Sequence, residues 1–268
     1  IIKISENKNK VNLIIIKCAR SSYISLMRKK QFTFCFLLFL LLQNSIVAKA
    51  YDGEKFTITK QQNLLLNEIV ESLESNHLIK KEYIDIKDEA FVLYLERLDP
   101  NKTIFLSREL VGFEKEIKNS DEIEHGLQQA FLIFKKYRER YLDRYNFQLN
   151  FLSEVVKKDL QTNKLLLRDR SDANRLDSVT ELKTLWKELI INDLIQLRLS
   201  NNSLDESKNK IIKRIDNQLN YFNQTDSEDV FDIYVNSLSS IYGPHTAYMS
   251  PKNTEDFDIN MRLSLEGI

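Results

Sequence analysis

The chain has 268 residues, with 39 basic and 39 acidic side chains, three histidines, two cysteines, five glycines and three prolines. Nine basic residues and one acidic residue precede Tyr51, so the stretch from Tyr51 to Ile268 keeps 30 basic against 38 acidic residues, a formal charge of −8. That balance argues against a phosphate-backbone binder. With Cys18 and Cys35 both upstream, it also leaves no disulfide, thiol nucleophile or cysteine metal site after residue 50.

The first fifty residues do not read as folded protein. Ile1 is not a start residue and the first methionine is Met27, so residues 1–26 read as translation upstream of the true start. Residues 27–50 read as a signal peptide. Arg28, Lys29 and Lys30 form a basic start, Phe32 to Leu42 an apolar run, and Ala48-Lys49-Ala50 a small-residue exit. Ala48 and Ala50 suit the narrow pockets of signal peptidase, with cleavage before Tyr51. The apolar run has eleven residues, whereas a spanning helix takes about 20. An exported chain without a permanent membrane span is expected. Cys35 opens the run instead of following it, which does not suit a lipoprotein.

From Tyr51 onward glycine and proline are too sparse for a sheet-rich domain, and apolar residues recur at three and four. The spacing predicts a helix from Thr59 to Leu78, with Leu65, Ile69, Leu73 and Asn76 on one stripe. Asp85 is the expected N-cap of a second helix, with Phe91, Leu95 and Leu98 inward and a stop at Asp99-Pro100. Ser107 is the expected cap of a short helix through Phe113 and Ile117. A long helix starts near Ser120 and carries Phe131, Phe134, Tyr137, Tyr141 and Tyr145. The charged stretch from Ser153 to Ser178 reads as a loop or solvent-facing excursion. Helices then follow at Thr180–Leu199, Leu204–Phe222 and Ser227–Ile241, the last opened by a capping box of Thr225 and Glu228. The expected class is all-α. Two stretches, "LDPNKTIFLSRELVGF" and "YGPHTAYMSPKNTEDF", share a plan: helix end, proline, short apolar piece, serine, next helix. Pro251 after Ser250 fits the first helical position.

The second stretch holds His245, Thr246, Ser250 and carboxylates, the residue types of a nucleophilic triad. No nucleophile elbow or glycine-rich oxyanion loop accompanies them. The favoured reading is a turn that His245 and Thr246 hydrogen-bond. His77 reads as a donor at a helix C-terminus. With His125 the only other histidine, no metal-ligand spacing occurs, and no cofactor is implied. "FKKYRERYLDRY" interleaves basic and aromatic residues as a single-strand nucleic-acid surface does. The spacing of Tyr137, Tyr141 and Tyr145, interrupted by Glu139 and Asp143, fits an amphipathic helix better. A Ser–Lys dyad needs a lysine made neutral by burial, and every lysine after residue 50 reads as solvent-facing. No catalytic residue is expected.

The last forty residues resemble the tail-specific proteases, or C-terminal processing peptidases. The matching pieces are Ser227 to Phe231 ("SEDVF"), Pro244 to Pro251 ("PHTAYMSP"), Asn253 to Phe257 ("NTEDF") and Met261 to Ile268 ("MRLSLEGI"). "YLERLDPNKTIFLS" and "LKTLWKELIINDLIQLRL" extend the likeness backward. Gly243 departs from it, standing where the family usually has Asp.

The resemblance implies a periplasmic serine endopeptidase that binds free apolar C-termini through a PDZ domain and cuts with a Ser–Lys dyad. A helical-repeat lipoprotein adaptor serves some members. It further implies that residues 51–258 form the helical N-terminal domain. Residues 259–268 would then begin a PDZ domain, with Leu265, Gly267 and Ile268 in its first strand, and the dyad would lie outside the chain. The alternative is a stand-alone exported scaffold or adaptor module.

Overall fold

The structure, a computed structural model, describes residues 55–251 together with Thr254, Glu255, Phe257, Ile259 and Met261. The signal-peptide residues Ala48 and Ala50, and Leu265, Gly267 and Ile268, lie outside the described residues. The chain divides into Ile1–Lys55 and Phe56–Ile268, and the helices belong to the second unit.

Seven α-helices can be bounded among the described residues, and no strand occurs there. They are α1 (Lys60–Asn76), α2 (Tyr83–Leu98), α3 (Ser107–Lys118), α4 (Ile123–Glu154), α5 (Val179–Leu199), α6 (Leu204–Gln224) and α7 (Ser227–Ser239). A 3₁₀ turn, Lys157–Leu160, follows α4. Ile259 and Met261 are helical, as is Pro251, whose predecessor Ser250 accepts the Thr254 N–H at 2.9 Å. Among the described residues, no helix is long and apolar enough to cross a membrane.

Local chemistry sets the helix starts. Capping boxes pair Thr59 with Gln62, Ser178 with Glu181, and Ser203 with Glu206. Each satisfies two N–H groups that the first turn would otherwise leave bare. Three expected caps are displaced. Glu82, not Asp85, precedes α2, and Asp85 lies in its first turn. Ser107 is already helical, and its hydroxyl bonds Asp177 across the fold while Glu109 accepts the Leu106 N–H at 2.9 Å. Asp226 caps α7 by accepting from Glu228 and Asp229, one position after the expected Thr225. A carboxylate accepts two N–H groups at once and suits the positive end of the helix dipole, so Asp226 displaces the threonine. In α1 the buried residues are Leu66 and Val70. The expected stripe of Leu65, Ile69 and Leu73 lies at the edge of the core, half-buried. Asn76 is exposed.

α4 runs for 32 residues, about 48 Å at 1.5 Å per residue, and serves two cores. Its first half packs with α1, α2 and α7 around Leu66, Phe91, Tyr94, Leu127, Phe134, Phe231 and Val235. Its far end packs with α5 and α6 around Leu152, Val155, Ile190, Leu194, Ile211 and Ile215. Between these cores Leu106, Leu182 and Trp186 form a small fully buried cluster.

Candidate functional site

The turn after α7 contains the triad-like residues, and its geometry decides their roles. The buried Tyr242 hydroxyl donates to the Lys81 carbonyl at 2.9 Å, and the Lys81 ammonium donates to the Ile241 carbonyl at 3.1 Å. The Thr246 N–H closes the turn onto the Gly243 carbonyl at 3.0 Å. His245 is exposed and makes no hydrogen bond in the turn, contrary to the expectation that it helps hold it.

His77, from the end of α1, takes that place. Its Nδ1 lies 3.0 Å from the Ile79 nitrogen and 3.3 Å from the Ile79 carbonyl oxygen. Nε2 hydrogen-bonds Thr246 Oγ1 at 3.0 Å. The partners of Nδ1 are backbone groups and not the carboxylate that orients a triad histidine. The His77–Thr246 pair is a strut, further braced by the His77 ring edge on Tyr242 at 5.2 Å.

The segment leaving the turn is clasped onto α7. The Asn236 side chain accepts the Tyr248 N–H at 2.8 Å and donates to the Tyr248 carbonyl at 3.1 Å. One amide thus serves both backbone groups, as a neighbouring strand would. Tyr248 sets its ring edge-on to Phe231 at 5.8 Å. One helical turn earlier, the buried Asp232 carboxyl hydrogen-bonds Ser250. Burial, reinforced by Glu228, Asp229 and Asp226 and opposed by the Ser250 bond, pushes the Asp232 carboxyl up to about 6.

The earlier bend with the same plan is built around Asp99, which is 2% exposed. Its carboxylate accepts the N–H groups of Thr103 at 2.7 Å and of Ile104 and Phe105 at 3.1 Å. It also pairs with Arg175 at 2.5 Å. Trp186 Nε1 donates to the Thr103 carbonyl at 2.8 Å, and Arg144 donates to Thr103 Oγ1 at 2.9 Å. Gly243 has no carboxylate with which to brace the second bend. Its φ is not positive, so the glycine's conformational freedom is not what the position uses. The second bend is held from outside, by His77, Lys81 and Asn236.

One lysine departs from the expectation of solvent-facing amines. Lys87 on α2 is buried. Its ammonium donates to Asp121 at 2.6 Å and to the carbonyls of Ser120 at 2.8 Å and Ile117 at 3.3 Å. Three acceptors, one of them a carboxylate, engage its donors. It faces the Ser120 carbonyl, and the Ser120 hydroxyl accepts from Glu122 N–H. No base–hydroxyl dyad forms there. Sequence carried a sign of this burial, because Lys87 falls on the stripe of Tyr83, Phe91, Tyr94 and Leu98.

His125 bonds the Glu116 carbonyl at 2.9 Å. In "FKKYRERYLDRY" the three tyrosines share one side of α4, as the spacing predicts. Two of its arginines turn inward. Arg140 is buried against Glu109 at 2.7 Å, and Arg138 lies over the Phe56 and Phe222 rings at 5.3 and 5.5 Å.

These features describe a braced helical scaffold with a fixed exit. Residues 69–252 match the family described as the tail specific protease N-terminal domain. Over 187 residues the chain is 29% identical to the tail-specific protease of Haemophilus influenzae, an alignment that takes in 69% of this chain and 27% of that protein. The chain therefore spans about a quarter of the length of the curated relative it matches.

Proposed function

As the chain belongs to the family of tail-specific protease N-terminal domains, we propose that it is the helical platform of a longer serine endopeptidase. In this reading the parent is exported by a cleaved signal peptide to the periplasm, where it degrades or processes proteins from free apolar C-termini. The Ser–Lys dyad and the PDZ domain belong to parts of the parent beyond this chain, and Leu265, Gly267 and Ile268 begin the PDZ domain's first strand. A helical-repeat lipoprotein adaptor is the partner this reading expects.

The observation that carries the proposal is the match of residues 69–252 to the tail specific protease N-terminal domain. Lys87, the buried lysine among the described residues, donates to Asp121 and two carbonyls. A Ser–Lys mechanism needs a neutral amine beside a hydroxyl. His77 joins Thr246 to the Ile79 backbone and braces the turn after α7. The clasp by Asn236 and Asp232 suits a platform, because it fixes the direction in which the chain leaves α7.

The test is proteolysis of a peptide with a free apolar C-terminus, assayed on the purified chain and on the full-length parent. The parent is expected to cleave and the chain alone to show no turnover. Turnover by the chain that survives purification would overturn the platform reading. Failure of the parent to cleave would overturn the assigned activity.

A further inference from the structure

An open groove of about 440 Å³ runs between α4 and α6. Tyr137, Tyr141 and Tyr145 line it from α4, and Tyr221 and Phe222 from α6. The Tyr141 and Phe222 rings stack at 4.2 Å with planes 24° apart, and Tyr221 is 81% exposed at the rim. Arg144, Gln148, Gln218, Thr225 and the tyrosine hydroxyls add polar groups to the aromatic walls, and a groove of this volume has the dimensions of a ligand site.

The formal charge in the lining is Arg144. Its guanidinium spends one N–H on Thr103 Oγ1 at 2.9 Å and makes no ion pair among the described residues. Asp99 and Asp193 act on it electrostatically, favouring its charge, but are paired to Arg175 at 2.5 Å and Arg214 at 3.3 Å. Burial lowers the Arg144 pKa from its ordinary value, a sign that the charge is poorly solvated. An arginine has five N–H donors in a planar fork that fits a carboxylate. Arg144 is a cation with donors to spare, set among aromatic rings.

From this we infer that the groove binds a peptide segment of a partner protein in which an Asp or Glu side chain lies beside an aromatic or large aliphatic residue. The carboxylate seats on Arg144 and the apolar neighbour on Phe222, Tyr141 and Tyr221. A chain-terminal carboxylate is a poorer fit, since it is ordinarily held by several free backbone N–H groups. Nearly all of this lining lies within helices α4 and α6, where the N–H groups are already used. The inference does not rest on the proteolytic reading.

The test is fluorescence anisotropy of the chain with labelled peptides Ser-Gly-Phe-Glu-Leu-Gly-Ser, acetylated and amidated at the ends. A Gln-for-Glu version and a Gln version with a free C-terminus are run beside it. The capped Glu peptide is expected to bind about tenfold tighter than its Gln counterpart, the scale of a charged hydrogen bond. Arg144→Gln should erase that preference. Because Arg144 also braces Thr103, two exposed rim changes serve as independent probes. Gln218→Glu and Tyr221→Ser should each weaken binding about fivefold or more, with melting unchanged. Equal binding of the Glu and Gln peptides, binding only through the free C-terminus, no binding at millimolar peptide, or indifference to Gln218→Glu would each overturn the inference.

Discussion

Gly126 on α4 sits where two phenols converge. The Tyr83 and Tyr234 hydroxyls lie 3.3 Å apart, and a Cβ at residue 126 would overlap both. The Tyr94 hydroxyl, nearby on the same buried face, donates to the Ala130 carbonyl at 2.9 Å. Burial raises the pKa of all three phenols above the ordinary value, so each remains a neutral hydroxyl. Gly126→Ala is expected to destabilise the fold by about 1–3 kcal/mol through overpacking, although alanine is the better helix former by about 1 kcal/mol. Urea unfolding should show a lower midpoint at unchanged slope. Adding Tyr83→Phe and Tyr234→Phe should recover part of the loss. An alanine variant as stable as the parent would contradict the clash. In the sequence this glycine is merely a weak helix residue, because its reason lies in residues 43 positions before it and 108 after.

At the level of elements, α7 does more than fill the core. Its inner face carries Val230, Phe231, Tyr234, Val235 and Leu238, while Asp232 and Asn236, one turn apart, hold the departing segment at Ser250 and Tyr248. Asp232 makes this arrangement sensitive to pH. Its folded value of about 6 exceeds the ordinary 3.8, so between those values the folded chain binds more protons than the unfolded one. The contribution of this group to stability is therefore greatest below about pH 4 and is lost as pH rises through about 6. Asp232→Asn removes the unfavourable charge and keeps an acceptor for Ser250. The variant should melt above the parent near pH 7.5, with the gap closing towards pH 4. A gap independent of pH would show that the carboxyl is not the titrating group. The pattern SEDVFDIYVNS made the apolar face of α7 legible. The burial of Asp232 was not legible, since an aspartate one turn after two other acidic residues reads as part of a solvated helix start.

At the scale of the molecule, the loop from Asp99 to Phe105 joins the first core served by α4 to the small cluster around Trp186. Asp99 ends α2 in the first core. Trp186 of α5 reaches the same loop through the Thr103 carbonyl, and Arg175 arrives from the excursion ahead of α5. Asp99→Asn leaves Arg175, 8% exposed, without its counter-charge and weakens three backbone bonds. A loss of about 3–5 kcal/mol is expected, the scale of breaking a buried pair, read as a lower urea midpoint. A change within a few tenths would mean that the core and the cluster hold together without this joint. The sequence by itself determined the helical class, the approximate span of each helix and the likeness of the final motif string to the tail-specific proteases. Apolar periodicity and breaker residues act within one or two turns, and so they can be read along the chain. Only the tertiary structure decided that Asp232 is buried, that His77 braces Thr246 across 169 positions, and that Asp99 meets Arg175 across 76. The physical reason is that a polar side chain is buried or solvated according to which helices face it, and that pairing is settled by packing between distant segments.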